Sequence, residues 1–321
     1  MGEFDLIDRF FKRPVRRADL GIGDDCALLS PRPGHQLALS TDMLVEGRHF
    51  LSTVDPVRLG HKSLAVNLSD LAACGAQPRA FLLSLSMPRA DAAWLDGFSQ
   101  GLFALADAHG CELIGGDTTQ GPLNISITVV GDVPQGQALL RSGAREGDDI
   151  YVSGNVGDAR LALEVFRGTL SLPEYVFNTC RMRMEQPTPR VALGMALRGV
   201  ATAAADISDG LLGDLGHILR QSGVGARLQV DACKQLLACR DAITLPGDWV
   251  QTCVLSGGDD YELVFTAPQA MREAVAQAAQ SSVTTVSRIG TITRTPGLAL
   301  LDAKGQPLST RFTSFDHFAQ D

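Results

Sequence analysis

Six stretches of the sequence set carboxylates beside glycine, serine or threonine: GIGDDCA (21–27), STDMLVEGRHF (40–50), NLSDLAA (67–73), IGGDTTQGP (114–122), DISDGLLGDLG (206–216) and SGGDDYEL (256–263). Carboxylate and hydroxyl oxygens are hard ligands. Acids gathered in one site repel one another unless divalent cations neutralise them. Mg²⁺ suits such a set, because it takes octahedral oxygen coordination and shares its shell with water and phosphate. Each turn alone also has a structural reading, since Asp after Gly is ordinary turn chemistry and Asp or Ser before a helix is an ordinary N-cap. Asp209 could cap a helix that starts at 211. Asp70 differs, because it falls inside a predicted helix, where Asp has poor propensity and no capping duty. Asp24 and Asp25 are adjacent, with no basic residue in their stretch. They are read as facing metal ions, or as one ligand and one turn cap, with Cys26 packed in the turn.

The elements that must position these acids follow from periodicity. Alternation predicts strands at 36–41 and 123–131. Residues 60–74 read as a helix with Leu64, Leu68 and Leu71 on one face and Asn67 and Asp70 on another. A second helix spans 91–109, with Trp94, Phe98, Leu102 and Leu105 as its apolar stripe and Gly110 as its stop. The Gly-rich, charged run at 134–149 marks a domain boundary. Beyond it, strands at 148–154, 200–207, 261–267, 283–293 and 297–302 alternate with helices at 158–166, 211–223 and 268–280. The run 168–190 is either a cover or a helical insertion.

The chain has 321 residues, 45% apolar and 20% charged, enough for two domains with real cores. A formal charge of −8 argues against broad nucleic-acid or anionic-membrane binding. It permits phosphate substrates where a cation stands between them and the protein. Seven scattered cysteines without C-x-x-C read as reduced thiols rather than a disulfide frame or a zinc site. The first 17 residues lack the features of a signal peptide, and no run of ~18 apolar residues occurs, so the chain is read as cytoplasmic.

Common alternatives fail on inspection. There is no P-loop, no H-E-x-x-H and no kinase H-R-D, and GIGDDC breaks the dinucleotide fingerprint at its last position. GIGDDCALL, LALSTDMLVEGRHF, AVNLSDLAACGAQP, LIGGDTTQGP, ADISDGLLGDLGHI and LSGGDDYELVFT, with SFDHF (314–318) closing, stand in the order of the thiamine-monophosphate kinase family. The resemblance covers nearly the whole chain. That family sits in the superfamily of aminoimidazole ribonucleotide synthetase and selenophosphate synthetase, which bind ATP without a P-loop.

The resemblance implies an α/β (α+β) fold of two domains. An N-terminal ATP/Mg-binding and dimerisation domain (1–136) pairs into a β-barrel across a homodimer, and a C-terminal α/β domain (137–321) follows. It implies transfer of the ATP γ-phosphate to thiamine monophosphate. Asp25, Ser40, Thr41, Asp42, Asp70, Asp117, Asp206 and Asp209 match the family's magnesium positions. Gly116, Asp117, Arg141 and Ser208 match its ATP contacts, and His49, Asp259 and Phe315 its thiamine-substrate contacts. Asp259 stands where Glu is frequent, and Phe315 where Tyr or Trp is common. The acceptor phosphate has a second pKa near ~6 and is largely dianionic, so direct in-line transfer without a general base is expected. A sibling ATP-dependent synthetase and a non-catalytic nucleotide- or magnesium-binding protein are the alternative readings.

Overall fold

The computed structural model describes residues 2–308, so SFDHF and Phe315 lie outside the described residues. The chain divides into two compact units, Met1–Leu71 with Ala76–Gly136, and Ala72–Gly75 with Gln137–Asp321.

The first unit contains α1 (Glu3–Phe10), β1 (His35–Val45), α2 (Pro56–Ala73), β2 (Gln77–Met87), α3 (Ala92–His109), β3 (Glu112–Gln120) and β4 (Asn124–Pro134). Its strands form a four-stranded mixed sheet in the order β1-β4-β2-β3, with only β2–β3 parallel. Leu64, Leu68 and Leu71 of α2 and Phe98 and Leu102 of α3 are buried, as the predicted stripes require. Asp91 caps α3 by accepting the Ala93 and Trp94 N–H groups, and Gly110 ends it in the left-handed conformation. The two helices approach closely because a Cβ on Gly101 would stand 1.8 Å from the Val57 carbonyl oxygen.

One face of this sheet is buried by Phe81, Leu83, Leu85, Ile125, Ile127 and Val129. The register sets Ser40 opposite Val129 and Asp42 opposite Ile127, so both lie on this face. The other face of β1 carries exposed apolar side chains, with Leu39 64% and Met43 55% exposed beside Leu37 and Val45.

The second unit contains β5 (Asp149–Ser153), α4 (Asp158–Phe166), α5 (Glu174–Glu185), α6 (Val191–Ala196), β6 (Ala203–Ile207), α7 (Leu211–Ser222), β7 (Gly225–Gln229) and α8 (Val230–Lys234). It continues with α9 (Trp249–Ser256), β8 (Glu262–Ala267), α10 (Arg272–Ser281), β9 (Val286–Thr293) and β10 (Gly297–Leu301). Its six-stranded sheet has the order β10-β7-β9-β5-β8-β6, parallel only at β10–β7. Ile150, Val152, Ala205, Ile207, Leu215, Ile218 and Val264 pack in one apolar core. The 168–190 run forms α5, whose Val176, Cys180 and Met184 belong to that core. Among the described residues, no helix is long and apolar enough to cross a membrane.

The candidate phosphoryl-transfer site

In the first unit, β1 and α2 supply the acids that periodicity had placed. The Ser40 hydroxyl donates to Asp70 Oδ2. The Asp42 N–H donates to Asn67 Oδ1 at 3.1 Å, and Asn67 in turn donates from Nδ2 to the Ser63 carbonyl at 3.0 Å. Strand alternation brings Ser40 and Asp42 onto the face that α2 covers, and the i, i+3 spacing of Asn67 and Asp70 lets one helix meet both. Thr41 is turned the other way by the same alternation. Its hydroxyl donates to the Ile127 carbonyl and accepts from Thr128, each at 3.0 Å. The structure therefore does not join the Thr41 side chain to the Ser40–Asp70 pair.

Asp24 and Asp25 are both exposed. Asp24 Oδ1 accepts the Asp25 N–H at 3.0 Å, so Asp24 is the turn cap of the adjacent pair. The loop closes by Leu20 and Leu28 exchanging backbone hydrogen bonds. Cys26 is exposed, which corrects the expectation of a packed thiol: the loop is held by its backbone and has no interior to offer. At the far end of β1, His49 Nδ1 accepts the Val45 N–H at 3.0 Å. A neutral imidazole accepting at Nδ1 carries its proton on Nε2.

Two stretches read as turns are strand instead. STDMLV belongs to β1, and IGGDTTQ to β3. β3 pairs with β2 in parallel, which sets Asp117 opposite Ser84 and Gly116 opposite Leu83. Gly116 has φ 147°, and a Cβ there would lie 1.8 Å from the Leu83 carbonyl oxygen. Glycine is thus demanded by the strand pairing itself. Gly116→Ala is expected to pry β3 from β2 and lower the thermal midpoint by several degrees, read by calorimetry. An unchanged midpoint would show that the strands yield without cost.

In the second unit, Asp206 is buried at the end of β6, followed by Ser208 and Asp209. Asp209 does not cap α7, whose N-cap is Gly210. The relation is inverted: Asp214, within the first turns of α7, accepts the Ser208 and Asp209 N–H groups at 3.0 and 3.1 Å. Burial, and then the Asp209 carboxylate, push the Asp214 carboxyl up to about 7, against the two N–H donors and the Arg141 charge. Arg141 also lowers the pKa of His217, after burial. Ser208, Asp209, Asp214, Arg141 and His217 are thereby one electrostatic group. Sequence reasoning missed Asp214. Its only signal was a second Asp five residues after Asp209, on the helix face that looks back at the loop.

Asp214 has a pH consequence. Its folded pKa lies above the ordinary 3.8, so the folded state binds the proton more tightly. That contribution to stability is complete below 3.8 and is lost as pH rises through about 7. Asp214→Asn, which keeps an oxygen acceptor, is expected to flatten the stability profile between about pH 4 and 7. Denaturant titrations of both proteins across that range check this, and parallel profiles would refute it.

The SGGDDYEL run is a tight return in which Asp259 (φ 63°) and Tyr261 (φ 54°) adopt left-handed backbone. It is pinned to the β6 loop by Asp259 N–H to the Ser208 carbonyl at 2.8 Å and Tyr261 N–H to the Ile207 carbonyl at 2.9 Å. Its two acids divide their work. Asp260 is buried, accepts the Gly157 N–H at 2.9 and 3.1 Å, and has its pKa raised by burial. Asp259 is half-buried beside Ser208.

The chain matches AIR synthase related protein, N-terminal domain, over residues 23–133, and AIR synthase related protein, C-terminal domain, over 145–302. It is 46% identical to the thiamine-monophosphate kinase of Salmonella typhimurium over 99% of this chain and 98% of that one. The chain belongs to the thiamine-monophosphate kinase family. A crystal structure of the thiamine-monophosphate kinase from Stenotrophomonas maltophilia superposes with a TM-score of 0.85 at 44% identity, covering 96% of this chain and 98% of that one. AaThiL complexed with AMPPCP and TMP gives a TM-score of 0.75 at 28% identity, covering 99% and 97%. The two-domain α/β architecture with mixed sheets is that of these thiamine-monophosphate kinases.

Proposed function

We infer that the protein transfers the γ-phosphate of ATP to thiamine monophosphate, giving thiamine diphosphate and ADP. The observation that carries this is 44–46% identity to thiamine-monophosphate kinases along essentially the full length of both chains.

Phosphoryl transfer asks a protein for positioning and charge neutralisation more than for covalent chemistry. Here donor and acceptor are both anions, so their mutual repulsion is the main electrostatic problem. The donors on β1, α2 and β3 are carboxylate and hydroxyl oxygens, the hard set that fits Mg²⁺. In the first unit Asp25, Ser40, Thr41, Asp42, Asp70 and Asp117 are the residues that would hold it, and in the second unit Asp206 and Asp209 are assigned the same duty. Bound Mg²⁺ supplies charge neutralisation for both phosphates. Arg141 is suited to a bidentate grip on phosphate, with Gly116 and Ser208 as nucleotide contacts. His49, Asp259 and Phe315 are assigned to thiamine monophosphate. A dianionic acceptor needs no general base, and the hydrogen bond at His49 Nδ1 suits a binding imidazole better than a proton shuttle.

The reading extends to assembly and location. The exposed apolar side of β1 supports pairing of the residue 1–136 domain with a second copy into a β-barrel, as the resemblance implies. Residues 137–321 form the second domain of the proposed kinase, and the enzyme is placed in the cytoplasm.

The test is ADP formation by purified protein with ATP and Mg²⁺, with and without thiamine monophosphate, the product identified by mass. ADP matched mole for mole by thiamine diphosphate is expected. ATP bound but not consumed with this acceptor would remove the assignment, and a phosphoryl-enzyme trapped by acid quench would overturn direct transfer.

A further inference from the structure

Away from the acidic turns, the core of the second unit holds a mixed set of donors. Asp158 is the first residue of α4, Cys180 lies in α5, and Cys239 follows α8. One carboxylate oxygen and two sulfurs from these buried residues lie within 4.8 Å of one another. Cys180 Sγ is 3.7 Å from Cys239 Sγ and 3.9 Å from Asp158 Oδ1. Two thiolates bound to one tetrahedral zinc ion at ~2.3 Å stand ~3.8 Å apart, so the sulfurs already have the spacing of two such ligands.

The carboxylate is also oriented for this. Asp158 Oδ2 accepts the Ala238 N–H at 3.3 Å, which leaves Oδ1 toward Cys180. Ligands whose remaining atoms are tied to backbone hold their geometry and bind metal better. Two thiolates and a carboxylate around a divalent ion leave a single net negative charge, and the Arg183 guanidinium acts on Asp158. Without an ion the Asp158 carboxylate accepts from the Ala238 and Cys239 N–H groups and from the Cys239 thiol, and a cation would replace the thiol proton in that set.

We propose that Asp158, Cys180 and Cys239 form a binding site for a soft divalent cation of the zinc class, separate from the magnesium-type oxygen donors. On binding, each S–H bond is exchanged for a sulfur–metal bond and the proton goes to solvent. Water completes the tetrahedron. The ion ties α4, α5 and the segment after α8 together, so its effect is on the stability of this unit.

The experiment uses the full chain, stripped with chelator and titrated with Co²⁺ in saturating Mg²⁺. Oxygen ligands give no thiolate-to-cobalt charge-transfer band, so that band excludes the magnesium-type donors, and the cysteine variants assign it among the thiols. One equivalent is expected to bind with the band, to be displaced by Zn²⁺, and to persist in Cys26→Ser. The band should vanish in Cys239→Ser, a change in an irregular segment that leaves the helices intact, and in Cys180→Ser. On the wild-type protein itself, in sub-denaturing urea where these buried thiols open to reagent, Zn²⁺ should slow alkylation of Cys180 and Cys239, which keeps the test decisive if Cys180→Ser fails to fold. No band at excess Co²⁺, or a band that survives Cys239→Ser, would overturn the proposal. So would an intact mass two hydrogens lower with both thiols blocked, since that is a disulfide.

Discussion

Asp70→Asn is expected to leave the fold intact and to lose on the order of a hundredfold or more of the kinase rate. Asp70 lies in the last turn of α2, where helix propensity and the negative end of the helix dipole both argue against it, and its carboxylate receives the Ser40 hydroxyl. Asn keeps nearly the same shape and an oxygen that accepts from Ser40, so β1 and α2 remain joined. What disappears is one negative charge among oxygens proposed to hold Mg²⁺. Steady-state rates over a Mg²⁺ series, with thermal melts alongside, separate the two roles. Lost turnover with a higher Mg²⁺ requirement and an unshifted melt is the expected pattern. A near-wild-type rate with ordinary Mg²⁺ dependence would make Asp70 a structural partner of Ser40 and nothing more.

The largest effect on stability is expected at Glu262, which is fully buried. Its Oε1 accepts from Arg183 at 2.7 Å, and its Oε2 accepts from Arg190 Nε and from the Ser153 hydroxyl, each at 2.6 Å. Glu262→Ala would leave two guanidiniums facing an emptied pocket. Removing one partner of a buried ion pair costs about 3–5 kcal/mol, because the remaining charge stays desolvated. Glu262→Gln keeps the volume and should fall between. Urea unfolding of the three proteins checks this, and an alanine variant within about 1 kcal/mol of wild type would mean that water reaches the arginines. The loss should extend to substrate affinity, since Glu262 directly follows the tight return that carries Asp259.

The sequence was most legible where one interaction dominated. Leu64, Leu68 and Leu71 announced the buried face of α2, and Asn67 with Asp70 its polar contact with β1. Gly110 announced the end of α3 because a left-handed residue was needed there. It was least legible where tertiary pairing overrode local chemistry. IGGDTTQ has the composition of a turn, yet β2 recruits it as a parallel strand that only glycine can approach so closely. β2 itself, QPRAFLLSLSM, is buried on nearly every residue of its first half, so it shows little of the alternation that identifies a half-exposed strand. Asp214 was hidden for another reason. It acts backwards, from helix to preceding loop, whereas a cap is sought in the opposite direction. The adjacent acids Asp259 and Asp260 were visible as a pair, but that Asp260 turns inward and Asp259 does not is decided by backbone torsion.

That torsion governs how position 259 can drift. Asp tolerates left-handed backbone better than longer acidic side chains do, because its short carboxylate can bond locally to the chain. At φ 63°, Asp therefore exchanges reach toward a ligand for conformational ease, whereas Glu would exchange them the other way. Mutational paths through this site are filtered twice, first by the Ramachandran map and only afterwards by the ligand. A library randomised here should return Asn, Gly and Asp among its folded members well before it returns the best binder.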